Sequence, residues 1–367
     1  MMTERGLAPD AAGGVFIGAD LTPAVPATST APLGKDSTWR GMVAPYLKAD
    51  GRRAIIQLLT TCPPFFAVMA AMFFLLEYGI WLGMLLFPVG AILLVRLFMF
   101  QHDCGHGSFF EQRWANEMLG WVLGVLTLTP YASWRADHAA HHASMGNLDR
   151  RGIGDITTLT LSEYRALPKW RRLGYRLYRH PLVMFGIGPI WLFFISNRIP
   201  AGNQRRRWRA WLGVLGTNAG LAVLLVALML SLGPTVVLLG WFPVVLLAAM
   251  IGVWLFYVQH QFPNTYWETS SSWDFRNAAL QGASFYDLPR PLHWLTGNIG
   301  FHHIHHLSSR IPNYRLRECQ ESNPALQTAP RLSLWTSLKC VNLALWDEER
   351  GSLISFRKAE IFQNLDL

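Results

Sequence analysis

Two long apolar stretches dominate the pattern of hydrophobic and polar positions along this chain of 367 residues. The first covers residues 54–100, and the second runs from Trp208 to Tyr257. Each stretch is long enough for two helices of about 20 residues, the length that crosses roughly 30 Å of hydrocarbon. Each is interrupted near its middle, by EYG at 77–79 and by LGP at 232–234. The pattern therefore predicts four membrane-spanning helices arranged as two hairpins.

Two shorter apolar segments, residues 118–132 and 182–196, are too short or too broken to span a bilayer. Segments of this kind are typical of helices that lie in the headgroup plane, with one face in the hydrocarbon. The 16 tryptophans also suit a protein with much of its surface at the membrane boundary. We therefore predict interfacial helices in these two segments.

The distribution of charge gives the orientation. Only 15% of the residues are charged, against about 25% in a soluble domain. Apart from Arg96, the basic residues fall before the first span, in the 102–207 loop, in the C-terminal region or at span edges. These regions are expected to face the cytoplasm, with Arg96 snorkelling to the interface. The net charge of +9 then indicates topology and attraction to anionic lipid headgroups, and no nucleic-acid partner.

The predicted fold class is an all-α membrane protein, with four transmembrane helices in two hairpins and a cytoplasmic helical cap. The predicted segments are a disordered N-terminal tail at 1–45, transmembrane hairpin 1 at 46–101, cap with histidine boxes 1 and 2 at 102–207, transmembrane hairpin 2 at 208–258, and cap with histidine box 3 and the C-terminal tail at 259–367.

Nine of the twelve histidines follow a spacing that brings imidazoles together. Positions i, i+3 and i+4 share one face of a helix. Box 1 has two histidines four residues apart after the second span, boxes 2 and 3 both read H-x-x-H-H, and one more histidine follows the fourth span. All nine are predicted to lie on one side of the membrane: His102, His106, His138, His141, His142, His260, His302, His305 and His306.

Nine imidazoles predict a metal centre with more than one ion. A zinc site takes four ligands, so nine ligands suit two ions with four or five each, leaving room for dioxygen. Imidazole binds Fe, Cu, Ni and Zn, so the ligand type alone does not choose the metal. The remaining histidines, His180, His293 and His303, are interpreted as ordinary polar groups, and His303 lies off the face that its neighbours use.

These residues resemble the integral-membrane fatty acid desaturases, which have one H-x3/4-H box and two H-x2/3-H-H boxes interleaved with two transmembrane hairpins. The resemblance covers roughly residues 50–320. HDCGHGSFF and QHQFPNTYW look most like the acyl-lipid branch that includes the delta-12 (oleate) enzymes. Carried over by position, the boxes give eight metal ligands. His260 matches a ninth, found after the fourth span of related acyl-CoA desaturases.

The resemblance implies an enzyme that uses O2 and two electrons at two Fe ions to introduce a double bond into an acyl chain. The metal ligands would be the catalytic groups. The implied substrate is a fatty acyl lipid or acyl thioester in contact with membrane lipid. The chain has neither an H-P-G-G haem motif nor a C-x-x-C pair, so a separate ferredoxin or cytochrome is the expected electron donor. The arginine-rich composition favours a bacterial inner membrane.

The sequence also suggests residues that would lie next to the metal-binding histidines and support them. Related desaturases have an asparagine one turn before the ninth histidine, where this chain has Phe256, and Asn298 is a candidate substitute. Carboxylates commonly orient ligating imidazoles through the second ring nitrogen. We expect two or three of the nearby aspartates to do so, with Asp103 and Asp137 directly beside box histidines. The candidates are Asp103, Asp137, Asp149, Asp155, Asp274 and Asp287.

Two other function classes compete. A membrane di-iron hydroxylase of fatty acyl chains, alkanes or carotenoids would have the same metal, fold and donor. A membrane zinc hydrolase or metal transporter is a more distant alternative. The protease motif H-E-x-x-H is absent, and the spans lack the His, Asp and Lys that a transporter would place there.

Overall fold

The computed structural model describes residues 37–152, 154–200 and 202–365, which are predominantly helical. The helices are α1 Ser37–Val43, α2 Gly51–Leu59, α3 Cys62–Glu77, α4 Phe87–His106, α5 Arg113–Leu126, α6 Tyr131–Ser144, α7 Leu161–Ala166, α8 Lys169–Tyr178, α9 Gly188–Ile190, α10 Trp208–Leu232, α11 Pro234–His260, α12 Phe275–Gln281, α13 Arg290–Leu295, α14 His302–Leu307, α15 Asn313–Ser322, α16 Leu334–Lys339 and α17 Phe356–Leu365.

Four candidate membrane spans are present in the described part of the chain, as the apolar pattern predicts. They are Gly51–Glu77, Trp81–His106, Trp208–Leu232 and Pro234–His260. The hairpin tips contain Gly79 and Gly233, whose φ angles of +71° and +80° favour glycine because it has no Cβ. The predicted fold class, a helical membrane protein with four spans in two hairpins, is confirmed.

α4 packs against the spans α3 and α11 and against α5, and α10 packs against α11. Glycines allow the close approach: a Cβ at Gly90 of α4 would lie 3.3 Å from a methyl group of Val244 on α11. A Cβ at Gly240 of α11 would lie 2.6 Å from the ring of Phe73 on α3. The helices that carry box 1 and His260 are therefore held against each other along their length.

Arg96 does not snorkel, which corrects the sequence-based expectation. The side chain is fully buried and donates hydrogen bonds to Thr61 Oγ1 (3.0 Å) and to the carbonyl of Trp294. Its guanidinium lies 3.9 Å from the centroid of the Trp294 ring. The reason is that α4 continues for ten residues beyond Arg96, and α13 of the cap packs over this part of the helix. Arg96 therefore joins the second span to the cap.

In the described residues, five short strands supplement the helices, and they were not predicted from the sequence. β1 (Leu159–Thr160), β4 (Leu343–Asp347) and β5 (Ser352–Ser355) form one sheet in the order β1-β4-β5, with β1 parallel and β5 antiparallel to β4. β2 (Phe285–Asp287) pairs in parallel with β3 (Arg331–Ser333). The sheets join distant parts of the cap, so the C-terminal segment is a folded part of it.

Several predicted boundaries differ from the structure. Box 1 lies within α4, because this helix runs without a break through His106. Residues 118–132 divide between α5, a turn and the start of α6, and residues 183–195 form a helical segment with π turns. Within the predicted tail, Ser37–Val43 form α1, and residues 1–36 lie outside the described residues.

Two glycines of α11 allow a matched test of span packing. We expect Gly240→Ala to destabilise the protein by about 1–3 kcal/mol, because the added methyl would overlap the buried Phe73 ring. Gly252→Ala adds the same methyl on the same helix where no atom lies within 4 Å, so it should keep or raise the unfolding temperature. Thermal unfolding in detergent measures both. Equal unfolding temperatures for the two variants would contradict this packing of α3 against α11.

Candidate metal centre

Four helices bring the nine predicted ligands to one place. α4 carries His102 and His106 in its last turn and a half, and α11 ends at His260. α6 carries box 2, and Tyr131 at its start donates a hydrogen bond to the carbonyl of Cys104 (2.7 Å), which fixes α6 against α4. α14 carries box 3. Two of the four helices are thus extensions of membrane spans.

The nine imidazoles divide into two neighbouring groups. In each of the two sets below, one ring nitrogen of every member lies within 4.8 Å of those of the others. His302 adjoins the second set, because its Nε2 lies 2.9 Å from that of His260 and 3.1 Å from that of His306. The first group is His102, His106, His138, His142 and His305; the second is His141, His260 and His306, with His302 beside them.

Burial favours the neutral form of several of these side chains. Loss of hydration is the main reason that the pKa values of five of them lie well below 6.5, and the neighbouring imidazoles lower them further. A neutral imidazole is the form that binds a metal, because it retains a lone pair on one nitrogen. The five histidines are His138, His142, His302, His305 and His306.

The second ring nitrogens show which way the lone pairs point. Nδ1–H of His102 donates to the Asp103 carboxylate (3.3 Å), and Nδ1–H of His141 donates to that of Asp155. Nδ1–H of His260 donates to the carbonyl of Gly282 (3.4 Å). In the neutral form that binds a metal, an imidazole has only one N–H group. In that form, the Nε2 atoms of these three histidines present lone pairs to the interior of the cluster.

The distances within the cluster fit metal coordination. Six Nε2 pairs lie 2.9–3.2 Å apart. Two nitrogens about 2.1 Å from one ion, at right angles to each other, would be about 3.0 Å apart. The Nε2 of His106 is buried and has no hydrogen-bond partner among the described residues. Coordination of a metal ion by this nitrogen would explain why it lacks one. The residues present therefore fit two transition-metal ions, without choosing iron over other metals that imidazole binds.

Two of the candidate aspartates contact a ligand. Besides His102, Asp103 accepts hydrogen bonds from the backbone and side-chain amides of Asn313 (2.7 and 2.9 Å). Asp155 contacts His141. The other four serve different partners: Asp137 accepts from Gln204, Asp149 from Ser270, Asp274 from Asn277 and Asp287 from Arg331.

Asn298, the candidate substitute for the asparagine of related desaturases, bonds to a residue other than a metal ligand. The side-chain amide of Asn298 donates to the carbonyl of Asn313 (3.1 Å), and Phe256 places its ring 5.1 Å from the rings of His141 and His260. Asn313 is a residue that sequence reasoning missed. Its contact with Asp103 joins positions 210 residues apart, and no local spacing signals such a contact.

The three remaining histidines lie outside both groups, as the sequence analysis predicts. His303 is buried and donates through Nε2 to Gln320 Oε1 (3.0 Å), and burial lowers its pKa to about 4. His293 accepts from the backbone N–H of Leu288 (3.2 Å), and His180 accepts from that of Leu182 (3.3 Å).

Comparisons with known proteins agree with this picture. The sequence model of the family described as "Fatty acid desaturase" matches residues 78–336. The chain is 43% identical over 315 residues to a fatty acid desaturase of Bacillus subtilis (strain 168), covering 86% of this chain and 89% of that protein. It is 30% identical to an sn-1 oleoyl-lipid 12-desaturase of Synechocystis, over 61% of this chain and 63% of that one. An sn-1 acyl-lipid omega-3 desaturase (ferredoxin) of Nostoc is 29% identical, over 62% and 63%.

Neighbouring histidines of box 3 give one test of the centre. We expect His305→Ala to lose the ion of the first group, because His305 is one of its five ligands. His303→Ala should still bind two ions, because His303 bonds to Gln320 instead. Elemental analysis of Fe2+-loaded protein measures the metal per chain. The same metal content in both variants would contradict the assignment.

The aspartates behind the ligands give a second test. Asp103→Asn and Asp155→Asn should each weaken metal binding by about 10–100-fold, because each removes a carboxylate that orients a ligand. Asp149→Asn is the matched control, since the Asp149 carboxylate contacts Ser270. Titration with Co2+, followed by its visible absorption, gives the affinities. Weakening by Asp149→Asn to the same degree would indicate a general effect of lost charge.

Proposed function

The chain belongs to the fatty acid desaturase family, and from that premise we propose that it introduces a double bond into the acyl chain of a membrane lipid, as a delta-12 type enzyme. The observation that carries the proposal is the cage of nine histidine side chains, six buried and three half-buried, that two membrane spans and two cap helices bring together in two groups. The delta-12 assignment is supported by the oleoyl-lipid 12-desaturase that is 30% identical to this chain.

The proposed cofactor is a pair of Fe ions held by the two histidine groups. Iron at such a site supplies the activation of O2 that removal of hydrogen from an unactivated methylene group requires. The overall reaction is R–CH2–CH2–R′ + O2 + 2e− + 2H+ → R–CH=CH–R′ + 2H2O. The two electrons come from a separate donor protein, and a ferredoxin is supported by the ferredoxin named for the Nostoc relative.

The chain's own residues supply position and shielding. Continuous helices fix the ligands of α4 and α11 relative to the bilayer, so an acyl chain from the membrane meets the cage at a defined depth. The rings of Phe256 and Trp134 lie against ligand imidazoles and help to exclude water. Asp103 and Asp155 hold two imidazoles in the orientation that binds metal.

The proposed location of the cap is the cytoplasmic side of a bacterial inner membrane. The support is the charge pattern: the tip around Gly79 and the tip around Gly233 carry no basic residue, whereas the regions at the opposite ends of the spans are rich in arginine. Regions rich in Arg and Lys remain on the cytoplasmic side of membranes.

Expression in a bacterial host with a ferredoxin reductase system, supplied with oleate, tests the function. We expect a new diene in the fatty acid profile by mass spectrometry, with the second double bond at the delta-12 position. His305→Ala should abolish the diene, whereas His303→Ala should retain much of it. A hydroxylated fatty acid in place of the diene would contradict desaturation and favour a hydroxylase with the same metal centre.

A further inference from the structure

We propose that an open cleft beside box 3 is the docking site for an acidic one-electron carrier protein, and that electrons enter the metal centre through its floor. This inference rests on the proposed function, because the reaction consumes two electrons that the chain itself does not supply. The cleft has a volume of about 690 Å3. We call it the electron-entry cleft; its floor includes Phe285, His293 and Phe301, and its walls include Arg290, Arg317 and Arg331.

The floor is a rigid stack of three aromatic rings. The Phe301 ring lies 4.7 Å from that of His293 and 5.0 Å from that of Phe285, with interplanar angles of 14° and 16°. His293 and Phe301 are 2% and 3% exposed. These two rings are therefore held within the protein below the cleft, and Phe285 is the more accessible member of the stack.

The floor is directly connected to the metal ligands. Phe301 immediately precedes His302, and its carbonyl accepts a hydrogen bond from the backbone N–H of His305 (3.1 Å). One residue at the bottom of the cleft is thus linked by a peptide bond to the second histidine group and by a hydrogen bond to a member of the first. Electron transfer slows steeply with distance, so a short path that reaches both groups suits electron entry.

The cleft is lined by three arginines and by two acidic residues, Asp287 and Glu321, which leaves one unit of positive charge in excess. Arg331 donates to Asp287 (2.9 Å), and Arg317 lies 3.5 Å from Glu321. Arg290 is exposed, and no hydrogen bond or ion pair to its guanidinium is present in the described part of the chain. The Arg317 guanidinium also lies 5.4 Å from the centroid of the Phe301 ring. Charge complementarity therefore favours a partner with an acidic surface, and the attraction would steer its approach.

The reaction needs two electrons, so a one-electron carrier must bind twice in each turnover. An iron–sulfur or haem carrier gives up one electron per encounter and leaves oxidised, so each turnover needs two encounters. Rapid exchange between encounters is favoured by attraction between charges at the rim of an interface, which raises the association rate more than the affinity.

Binding of an acidic [2Fe–2S] ferredoxin to the iron-loaded full-length protein in nanodiscs tests the site. We expect Arg290→Glu to raise the Kd roughly tenfold at low ionic strength and to flatten its salt dependence. The KM for reduced ferredoxin should rise with it. The matched control is Arg357→Glu, an equal change of charge at an exposed arginine on α17, outside the cleft. Metal content equal to that of the wild type verifies that each variant is folded.

The outcomes separate this inference from the proposed function. An unchanged Kd in Arg290→Glu, or the same loss in Arg357→Glu, would overturn the docking site. A single turnover of the wild type with dithionite and O2 bypasses the ferredoxin. Failure to form a double bond there, with the expected binding pattern intact, would count against the proposed reaction while supporting the docking surface.

Discussion

The structure depends on one constraint, which is that nine imidazoles, most of them buried, must lie together in the neutral form that binds metal. A charged group in a site without water costs several kcal/mol, and like charges so close together raise that cost. Burial disfavours the charged form, and hydrogen bonds from Nδ1–H to Asp103, Asp155 and a backbone carbonyl turn the lone pairs of neutral rings inward. Converging lone pairs repel one another, and metal cations reverse that repulsion. The same side chains that are unfavourable neighbours without ions thus become a strong donor set with them.

The membrane spans position some of the histidine ligands, and polar contacts position the others. His102, His106 and His260 lie on continuous helices, so the packing of the spans sets their places. Box 3 lies on a short helix in the cap and has no such support. Its approach to α4 is held by Arg96, which reaches the carbonyl of Trp294, and by Asn313, which binds the carboxylate behind His102. The buried Arg96 is stabilised there by hydrogen bonds and by the Trp294 ring.

Sequence reasoning succeeds here where the physics is local. Apolar length predicts the spans, and the i, i+3, i+4 spacing of the histidines predicts shared faces, which the structure shows meeting in two groups. It is less successful where partners are distant in sequence. Asp103 and Asp137 both adjoin a box histidine, yet only Asp103 contacts one, because the carboxylate of Asp137 turns to Gln204. β1 likewise pairs with a strand from a distant part of the chain, β4, and a strand of only two residues such as β1 leaves no periodic signal.

A metal centre that excludes water has to receive the acyl chain and the electrons by separate routes. In the proposed reaction, an acyl chain reaches the centre from the apolar side, where it costs little to admit, whereas a charged carrier protein can approach only from the aqueous side. Electrons must then cross the protein between the carrier and the metal, and a residue that lines the docking site and is covalently linked to a ligand shortens that crossing. Phe301 meets that condition, since it forms the floor of a basic cleft and precedes His302. The position of box 3 directly after Phe301 would therefore serve two purposes: its histidines bind the metal, and the metal lies within reach of the electron donor.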